Sequence, residues 1–328
     1  NGELELQPEK PVVEAAREPS FSTDFAHVRG QEVVKRALEI AAAGGHNVLL
    51  NGTPGAGKTM LARSLPSILP PLSHDETLEV TNIHSVAGEL SPDIPFLIER
   101  PFRSPHHSSS AVSIIGGGSW PKPGEVSLAH RGILFLDEFP EFPRSVLEHL
   151  RQPLEDGEVT IARALGTVRF PARFMLVAAM NPCPCGFATD PARECTCMPQ
   201  QIIRYNKKVS GPLLDRIDLY VSVPRVETEK LTSETDAEPS RDIQKRVTQA
   251  RRIQEERLAS FKVHVNSEMS THALKRHAEL DAKGKQLIAM AIDKYHLSAR
   301  SYTRVLKLAR TIADLAGEEK ILVEHLSE

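Results

Sequence analysis

The sequence predicts an α/β protein built as a three-layer sandwich around a mainly parallel sheet, followed by a small all-helical domain. Four short apolar runs have the composition of buried parallel strands and lie at 47–51, 132–137, 174–180 and 217–223. Segments with helical periodicity alternate with these runs, an order typical of sandwiched parallel sheets. Beyond residue 240 every apolar pattern is helical.

The helices of the α/β part each have a local sequence signal. Apolar residues recur at helical spacing over 31–43 and two glycines follow, which predicts a first helix with a glycine stop. A glycine-rich turn leads into a second helix that begins at Lys58. Pro143 is placed to open a further helix, which we expect to run to about Glu155 and to stop at Gly157.

A chain of 328 residues is longer than one hydrophobic core usually covers, so we expect two structural units. We predict a polar tail at 1–20 and an α/β domain at 21–225. The acidic stretch VETEKLTSETDAEPS has almost no core-forming residues and predicts a linker at 226–240. A helical domain is predicted at 241–328, with helices at 241–260, about 271–280, 284–296 and 298–316.

Charge and hydropathy exclude two classes of protein. The 40 Lys and Arg residues and 43 Asp and Glu residues give a net charge of −3, so a protein that coats nucleic acid over its whole surface is excluded. Any contact with nucleic acid must be a local patch. No apolar run approaches the roughly 18–20 residues of a membrane span. The N-terminus also lacks a secretion signal, and we expect a cytoplasmic protein that does not enter the membrane.

A phosphate-binding loop is predicted at 52–59. The sequence GTPGAGKT matches G-x-x-x-x-G-K-[ST] at every fixed position, directly after a predicted strand and at the start of a helix. Backbone N–H groups and the positive end of the helix dipole would therefore face phosphate oxygens. Lys58 would reach the β- and γ-phosphates of ATP, and the Thr59 hydroxyl would bind Mg²⁺. The predicted nucleotide-binding residues are Gly52, Thr53, Pro54, Gly55, Ala56, Gly57, Lys58, Thr59 and Asp137.

An acidic pair, Asp137-Glu138, ends the strand predicted at 132–137. Open parallel sheets bind ligands at the carboxyl ends of their strands, where this pair would lie. Asp137 would hold Mg²⁺ through water, and Glu138 would act as general base on the attacking water. Two acids after a strand are often only a solvated loop, but together with the phosphate-binding loop they predict an ATP hydrolysis site.

All four cysteines form two C-x-C pairs between Cys183 and Cys197, the others being Cys185 and Cys195. Soft thiolates in two pairs with a short loop between them suit tetrahedral Zn²⁺, although C-x-C is tighter than the usual C-x₂-C spacing. Disulfides are the second interpretation, disfavoured in a cytosolic protein, and free buried thiols are the third. We expect a structural metal site without a catalytic role.

Two segments predict exposed hairpins or loops. The first, within 103–130, has three consecutive glycines followed by Trp120 and Lys122. The second, EVTIARALGTVRFPA at 158–172, has alternating strands with Arg163 and Arg169 on either side of its turn. His106 and His107 suggest a metal site, but adjacent residues point apart on any regular element, and their role stays open.

These segments together resemble the magnesium-chelatase-like family of AAA+ ATPases, most of all its ComM (YifB) type of competence proteins. The resemblance runs from about Phe21 to Ala316. It is carried by VRGQ at 28–31, GTPGAGKT at 52–59, RPFRSPHH at 100–107, HRGILFLDEFPEF at 130–142, AAMNPCPCG at 178–186, SGPLLDRID at 210–218 and SARSYTRVLKLARTIADL at 298–315. Members of this type also have an N-terminal Lon-protease-like domain. Since these residues contain none and begin at Asn1 instead of Met, we expect a fragment or a processed form.

The resemblance implies an AAA+ fold with a helical lid and assigns three further catalytic roles. Asn181 resembles sensor 1, a neutral amide that orients the attacking water. Arg216 resembles the arginine finger, which stabilises transition-state charge on a neighbouring subunit's ATP. The alternative for Arg216 is a surface arginine paired with Asp215 or Asp218.

Arg300 resembles sensor 2, which reaches the nucleotide from the helical domain. Arg304 and Lys307 continue the same helix face, so either would be able to replace it, and a solvated basic stripe is the alternative. An arginine that acts on a neighbouring subunit requires a ring, which the resemblance implies to be a hexamer.

The resemblance implies a ring-forming, ATP-driven DNA translocase or helicase that acts on branched intermediates during natural transformation. Its hairpins would line the ring's pore and contact single-stranded or branched DNA through Arg163, Arg169, Lys122 and Trp120. One alternative is a magnesium-chelatase-type motor subunit that remodels a protein partner. Another is a nucleotide-switch scaffold, which the full set of hydrolysis residues argues against.

Overall fold

The computed structural model describes residues 23–91, 96–118, 120–163, 166–226 and 237–328, apart from the side chain of Arg163. The predicted tail at 1–20, most of the predicted linker at 226–240 and the side chain of Arg163 lie outside the described residues.

A parallel sheet forms the centre of the first part of the chain. The described strands are β1 (Val48–Gly52), β2 (Phe102–Arg103), β3 (Gly116–Gly117), β4 (Lys122–Pro123), β5 (Ile133–Leu136), β6 (Glu158–Arg163), β7 (Gly166–Pro171), β8 (Met175–Met180) and β9 (Leu219–Val223). Five of them form one sheet in the order β2-β5-β8-β1-β9, and every neighbouring pair is parallel. The four strands expected from apolar runs are confirmed.

Helices cover the sheet and form most of the described C-terminal part. The described α-helices are α1 (Glu32–Gly44), α2 (Lys58–Ser64), α3 (His74–Ala87), α4 (Ala111–Ile115), α5 (Glu125–Leu128), α6 (Arg144–His149), α7 (Arg151–Asp156), α8 (Pro199–Asn206), α9 (Gly211–Leu214), α10 (Ser240–Leu258), α11 (Thr271–His277), α12 (Ala282–Tyr295), α13 (Ala299–Ala316) and α14 (Val323–Ser327). None of the helices in the described ranges is long and apolar enough to cross a membrane.

Both faces of the sheet are buried, which explains why its strands read as continuous apolar runs. Alternate residues of a strand point to opposite faces, so Leu50 and Phe135 enter one core while Leu49 and Leu134 enter the other. The first core includes residues of α1, α2 and α10, and the second includes residues of α4 to α6. The predicted three-layer sandwich is confirmed.

The C-terminal part has a core of its own, built by α11 to α14 around residues such as Leu274 and Leu306. Helix α10 contributes to both parts of the chain. Its Ile243 and Val247 belong to the sheet core, whereas its last residue, Leu258, belongs to the helical core. This helix therefore joins the predicted helical lid to the sheet directly.

The helix predicted from Pro143 to Glu155 is interrupted and forms α6 and α7 instead, with Leu150 between them. Pro153 explains the break, because proline has no N–H to donate to the carbonyl of His149 four residues earlier. Gly157 ends α7 in the left-handed conformation with φ of 68°, as predicted.

Candidate nucleotide-binding site

The polar residues of the predicted site follow three neighbouring strands. Thr53 follows β1, Asp137 follows β5 and Asn181 follows β8, and these strands are adjacent in the order β5-β8-β1. Because the strands are parallel, all three residues lie at the same carboxyl edge of the sheet. The topology thus brings together groups that are up to 128 positions apart in the sequence.

Glycines give the loop between β1 and α2 its shape for two different reasons. Gly55 and Gly57 have φ of 78° and 88°, and a Cβ at either position would meet nothing within 4 Å. They are therefore required for the backbone conformation and not for space. A Cβ on Gly52 would instead lie 2.2 Å from the carbonyl oxygen of Val223, so the close approach of β9 excludes any side chain there.

Lys58 lies buried at the centre of the site. Its Nζ donates to the carbonyl oxygens of Gly52 and Thr53 at 2.6 and 2.9 Å and to Oδ1 of Asn181 at 3.0 Å. Desolvation lowers the pKa of its ammonium group, and the nearby carboxylate of Asp137 opposes that shift. The contact with Asn181 places one cation between the phosphate-binding loop and the end of β8.

Thr59 and Asp137 meet next to this lysine. The Thr59 hydroxyl donates to Oδ2 of Asp137 at 2.7 Å, and the other carboxylate oxygen accepts the backbone N–H of Glu138 at 2.9 Å. A hydroxyl and a carboxylate side by side are the hard oxygen ligands that Mg²⁺ prefers. The donor set therefore fits a magnesium ion.

Glu138 begins a short turn with its backbone in the left-handed region, at φ of 51°. Its side chain is 57% exposed, and Oε2 lies 2.9 Å from Nδ1 of His107. His107 was not assigned to the site from the sequence. The expectation that adjacent histidines point apart applies to regular elements, whereas these two lie on an irregular loop, where the rings of His106 and His107 are 4.0 Å apart.

The position of His107 follows from strand β2, which the sequence did not predict. β2 pairs in parallel with β5, so the residues after β2 lie beside those after β5. His107 comes four residues after the end of β2 and Glu138 two residues after the end of β5. A strand of two residues carries too little periodicity to be predicted from sequence.

Arg216 contacts α7 and α9. It donates to the carbonyl oxygens of Arg151 and Pro212 at 3.1 and 2.6 Å, and its guanidinium pairs with the carboxylate of Glu155. The alternative pairing with Asp215 or Asp218 is not the one observed. Asp215 lies instead 3.8 Å from Arg300, whose side chain is 61% exposed.

A cavity of about 690 Å³ lies at the opposite edge of the sheet from the phosphate-binding loop. Its lining includes Asn47, Gly132 and Phe174, which directly precede β1, β5 and β8 and therefore mark the amino edge. Arg216 and Arg300 both line this cavity. The structure brings these two arginines together, but not beside the phosphate-binding loop of their own chain.

Arg304 and Lys307 also line the amino-edge cavity, and both donate to backbone carbonyls. A guanidinium nitrogen of Arg304 contacts the carbonyl of Ile217, and Nζ of Lys307 lies 2.6 Å from the carbonyl of Ser267. Burial lowers the pKa of Lys307. The Arg304 contact connects α13 of the helical part to the segment just before β9, whereas the Lys307 contact joins α13 to the loop before α11 within the helical part.

The four cysteines form a compact cluster. Their Sγ atoms all lie within 4.8 Å of one another, and the separations among Cys183, Cys185 and Cys195 are 3.4 to 3.7 Å. Four sulfurs about 2.3 Å from a tetrahedral metal are about 3.8 Å apart, whereas a disulfide requires about 2.05 Å. A hydrogen bond from the backbone N–H of Phe187 is the largest of the effects that lower the pKa of Cys185 to about 6. The cluster is close enough to bind a metal ion.

The cysteine cluster contacts the phosphate-binding loop through Gly186. This glycine has φ of 88°, and a Cβ there would lie 2.6 Å from Cδ of Pro54. The loop that follows Asn181 therefore packs directly on the loop that precedes Lys58. This contact was not predicted from the sequence, which indicated only that the cysteines follow Asn181.

Both predicted hairpins are present and touch each other. β6 pairs with β7 from Glu158 opposite Pro171 to Arg163 opposite Gly166, and β3 pairs with β4 over two residues each. A Cβ on Gly116 of β3 would lie 3.0 Å from the side chain of Ile161 in β6. Trp120 is 82% exposed, and the side chain of Arg169 is 70% exposed and 3.7 Å from Glu158.

Family models match nearly the whole described chain. The model described as "Magnesium chelatase, subunit ChlI" matches residues 24–231, and the model of its C-terminal part matches residues 237–328.

Individual relatives agree with these matches. Competence protein ComM of Haemophilus influenzae is 47% identical over 93% of this chain and 59% of the relative. The uncharacterized protein YifB of Escherichia coli is 41% identical over 100% of this chain and 63% of the relative. The magnesium-chelatase 38 kDa subunit of Chlorobaculum parvum is 25% identical over 92% of this chain and 87% of the relative. The chain thus spans about three fifths of the length of ComM and YifB.

Proposed function

We propose, from the premise that this chain belongs to the magnesium chelatase family of AAA+ ATPases, that it is the motor part of a ring-forming, Mg²⁺-dependent DNA translocase or helicase. The observation that carries the ATPase part is the convergence of Lys58, Asn181, Thr59 and Asp137 at one edge of the sheet. This arrangement holds a cation, a neutral amide and a metal-binding oxygen pair around one phosphate-binding loop.

Hydrolysis would use these groups in distinct roles. Backbone N–H groups of the loop bind the phosphates, and Lys58 moves its contacts from two carbonyl oxygens to the β- and γ-phosphates. Thr59 and Asp137 would hold a magnesium ion, which supplies positive charge to the phosphate oxygens when bound. Glu138 takes the proton of the attacking water, and the Asn181 amide orients that water without adding negative charge beside the phosphate.

The positions of Arg216 and Arg300 support a ring. They line the amino-edge cavity, opposite their own phosphate-binding loop, so they would act on the nucleotide of a neighbouring subunit. A surface that supplies an arginine and a different surface that receives it form a head-to-tail contact, and such contacts form a ring when the rotation between neighbouring subunits closes. We propose a hexamer in which Arg216 is the arginine finger and Arg300 is sensor 2.

The DNA substrate is supported by a relative and by the two hairpins. The similarity to a competence protein favours a role in natural transformation. We propose branch migration of DNA as the work performed. The touching hairpins carry an exposed aromatic ring, Trp120, and the basic residues Lys122, Arg163 and Arg169. Aromatic stacking on bases combined with positive charge along the backbone is how proteins bind single strands without sequence preference.

The ATPase rate with and without DNA tests this function against its alternative. We expect hydrolysis by the assembled protein to rise when single-stranded or forked DNA is added. The similarity to a magnesium-chelatase subunit supports a second candidate, a motor that remodels a protein partner. Steady hydrolysis that DNA does not change, together with no DNA binding at low salt, would favour that second candidate.

The cysteine cluster is proposed to hold one structural zinc ion. Sulfur separations of 3.4 to 3.7 Å fit a tetrahedral site, and Gly186 connects the cluster to Pro54 of the phosphate-binding loop. A bound ion would stiffen the segment that positions Asn181. Elemental analysis should find one zinc per chain, released by thiol-modifying reagents. Four titratable thiols in protein that contains no zinc would refute the site.

A further inference from the structure

His107 lies against the side chain assigned as general base, in the RPFRSPHH segment that the function proposed above does not use. Its Nδ1 is 2.9 Å from Oε2 of Glu138. The two side chains are 34% and 57% exposed, so the contact is open to solvent on one side. Among the described residues, His107 is the only side chain in ion-pair contact with this carboxylate.

The imidazole of His107 is itself held from two directions. Its ring lies 4.0 Å from the ring of His106 and meets the edge of Phe142 at an interplanar angle of 83°. His106 is fixed in turn, since its Nδ1 accepts the backbone N–H of Ser108 at 3.2 Å and lies 2.8 Å from the Ser108 hydroxyl. These contacts therefore restrict the rotation of the His107 side chain.

The chemistry of the contact determines which of the two groups donates the hydrogen bond. A carboxylate offers only acceptors, so the close approach is favourable only when Nδ1 of His107 carries a proton. One carboxylate oxygen is then occupied and the other is left for a water molecule. A glutamate side chain has three rotatable bonds, and a general base must lie within hydrogen-bond reach of the proton it removes. A hydrogen bond from His107 to one carboxylate oxygen removes much of the rotational freedom of the Glu138 side chain.

We propose that His107 is a positioning residue for Glu138, which holds one carboxylate oxygen so that the other faces the attacking water. This inference rests on the proposed ATPase function and deepens it. It also assigns a role to a loop that connects β2, at the edge of the sheet, to α4 and the β3–β4 hairpin. The catalytic carboxylate is thereby tied to a segment outside the phosphate-binding loop.

Two substitutions separate the hydrogen bond from the bulk of the ring. In His107→Asn the amide Nδ2 stands the same number of bonds from Cβ as Nδ1 of histidine, so a donor is kept. His107→Leu keeps an apolar side chain against Phe142 and removes the donor. We expect His107→Leu to lower kcat about tenfold, a fraction of what a general base contributes, with unchanged ATP affinity. His107→Asn should recover most of the loss.

Two further variants serve as controls. His74→Leu makes the same substitution at an exposed histidine at the start of α3, away from Glu138, and should leave kcat close to that of the parent protein. In Glu138→Gln, single-turnover hydrolysis should not fall further when His107→Leu is added, because the positioned group is already absent. A purely structural role for His107 would instead lower the rate in both backgrounds.

The outcomes separate this inference from the proposed function. An active parent whose kcat is unchanged or raised by His107→Leu overturns the role of His107 and leaves the ATPase intact. An equal loss in the Asn and Leu variants overturns it as well, since the donor would then be irrelevant. A parent that hydrolyses no ATP under any condition overturns the ATPase and this inference together.

Discussion

In the proposed function, Lys58 serves ATP binding and Glu138 serves hydrolysis. Lys58 directs its ammonium group at two backbone carbonyls and the Asn181 amide, all beside the phosphate-binding loop. Glu138 lies further out and is in contact with His107 instead. The two side chains should therefore have separable effects when substituted.

We expect Lys58→Ala to abolish measurable ATP binding, because charge-assisted contacts worth about 1.5–3 kcal/mol each are lost together. Glu138→Gln should keep binding and lose about 10²–10⁴-fold in hydrolysis, since Asp137 remains and only the base is removed. Calorimetric titration with a non-hydrolysable ATP analogue and a phosphate-release assay measure the two effects. Equal loss of ATP binding in both variants would contradict the assignment.

His130 should make the free energy of unfolding depend on pH, and the direction of that dependence follows from its pKa. Its side chain is buried, and burial followed by the charges of Arg131 and Arg173 lowers its pKa to about 4, although Glu79 opposes the shift. Nδ1 accepts the backbone N–H of Arg173 at 3.0 Å, which leaves Nε2 to donate to Glu79. The folded protein therefore keeps this imidazole neutral in mild acid.

Unfolded His130 takes up a proton below about pH 6.5, and the folded protein does so only near pH 4. The unfolded state thus binds more protons between these values, and the free energy of unfolding should fall as the pH drops through that window. The contribution is at most about 3 kcal/mol. Urea denaturation from pH 7 to 4 should show a steeper loss for the parent than for His130→Asn, which keeps an acceptor without titrating. An equal loss of stability with falling pH in the two proteins would show that His130 is not the cause of the pH dependence.

The elements around the site were predictable where their signals are local. The strand before the phosphate-binding loop, the loop itself and the β6–β7 hairpin each follow from an apolar run, a spaced motif or alternation within about fifteen residues. Asp137 and Asn181 could be placed because each ends a buried strand, and parallel strands end at one edge.

The unpredicted features depend on contacts between distant segments. The position of His107 beside Glu138 requires that β2 pair with β5, and a two-residue strand gives no pattern to predict from. The partner of Arg216 is Glu155 because α7 and α9 lie together, whereas sequence proximity favoured Asp215 or Asp218. Pro153 is the exception, since it is a local helix-breaking signal that was not used.

A buried ion network stabilises the helical part and joins α10 to α13. Both oxygens of Asp314 accept from Arg257, at 2.7 and 2.6 Å, and one also accepts from Nε of Arg310 at 3.1 Å. Arg310 is only 1% exposed and Asp314 only 3%. Removing the carboxylate would leave buried guanidinium groups without their counter-ion.

We expect Asp314→Ala to lower the free energy of unfolding by about 3–5 kcal/mol, the usual cost of breaking a buried pair. Asp242→Ala is a matched control, because Asp242 forms an exposed pair with Lys245 on α10 and its loss should be much smaller. Chemical denaturation followed by circular dichroism measures both. A loss for Asp314→Ala as small as that of the control would show that water or another residue satisfies the arginines.

The whole molecule presents its hydrolysis residues at one edge of the sheet and its two catalytic arginine candidates at the other. In the proposed function, a single chain therefore holds both halves of an active site without joining them. Such a chain should be a poor ATPase until it assembles.

We expect Arg216→Ala to bind ATP nearly as well as the parent and to lose hydrolysis, because its contacts are with α7 and α9 and not with the phosphate-binding loop. Mixing it with Asp137→Ala should restore part of the activity. At mixed interfaces one subunit supplies the intact metal-binding side and the other supplies the arginine. Hydrolysis measured across mixing ratios should pass through a maximum, and a flat, inactive series would exclude action between subunits.

Of the proposed properties, DNA binding is the one we expect to depend most on assembly. A chain of net charge −3 does not attract DNA broadly, so affinity must come from basic residues that a ring gathers around one strand. Each subunit would contribute Arg163, Arg169 and Lys122 from its two touching hairpins. Binding should therefore require ATP-promoted assembly and weaken steeply with salt as counterions are released.

Replacing Arg163 and Arg169 together should lower the affinity for DNA and make that affinity less dependent on salt concentration. Basal ATP hydrolysis should not change, because the β6–β7 hairpin lies outside the phosphate-binding loop. Replacing Lys283 and Lys285, two exposed lysines on α12, removes the same charge elsewhere and serves as the control. Fluorescence anisotropy with labelled single-stranded and forked DNA measures affinity across a salt series. If the arginine variant binds as the parent does, or if the lysine control loses as much, the hairpin is not the contact and general electrostatic attraction explains the binding.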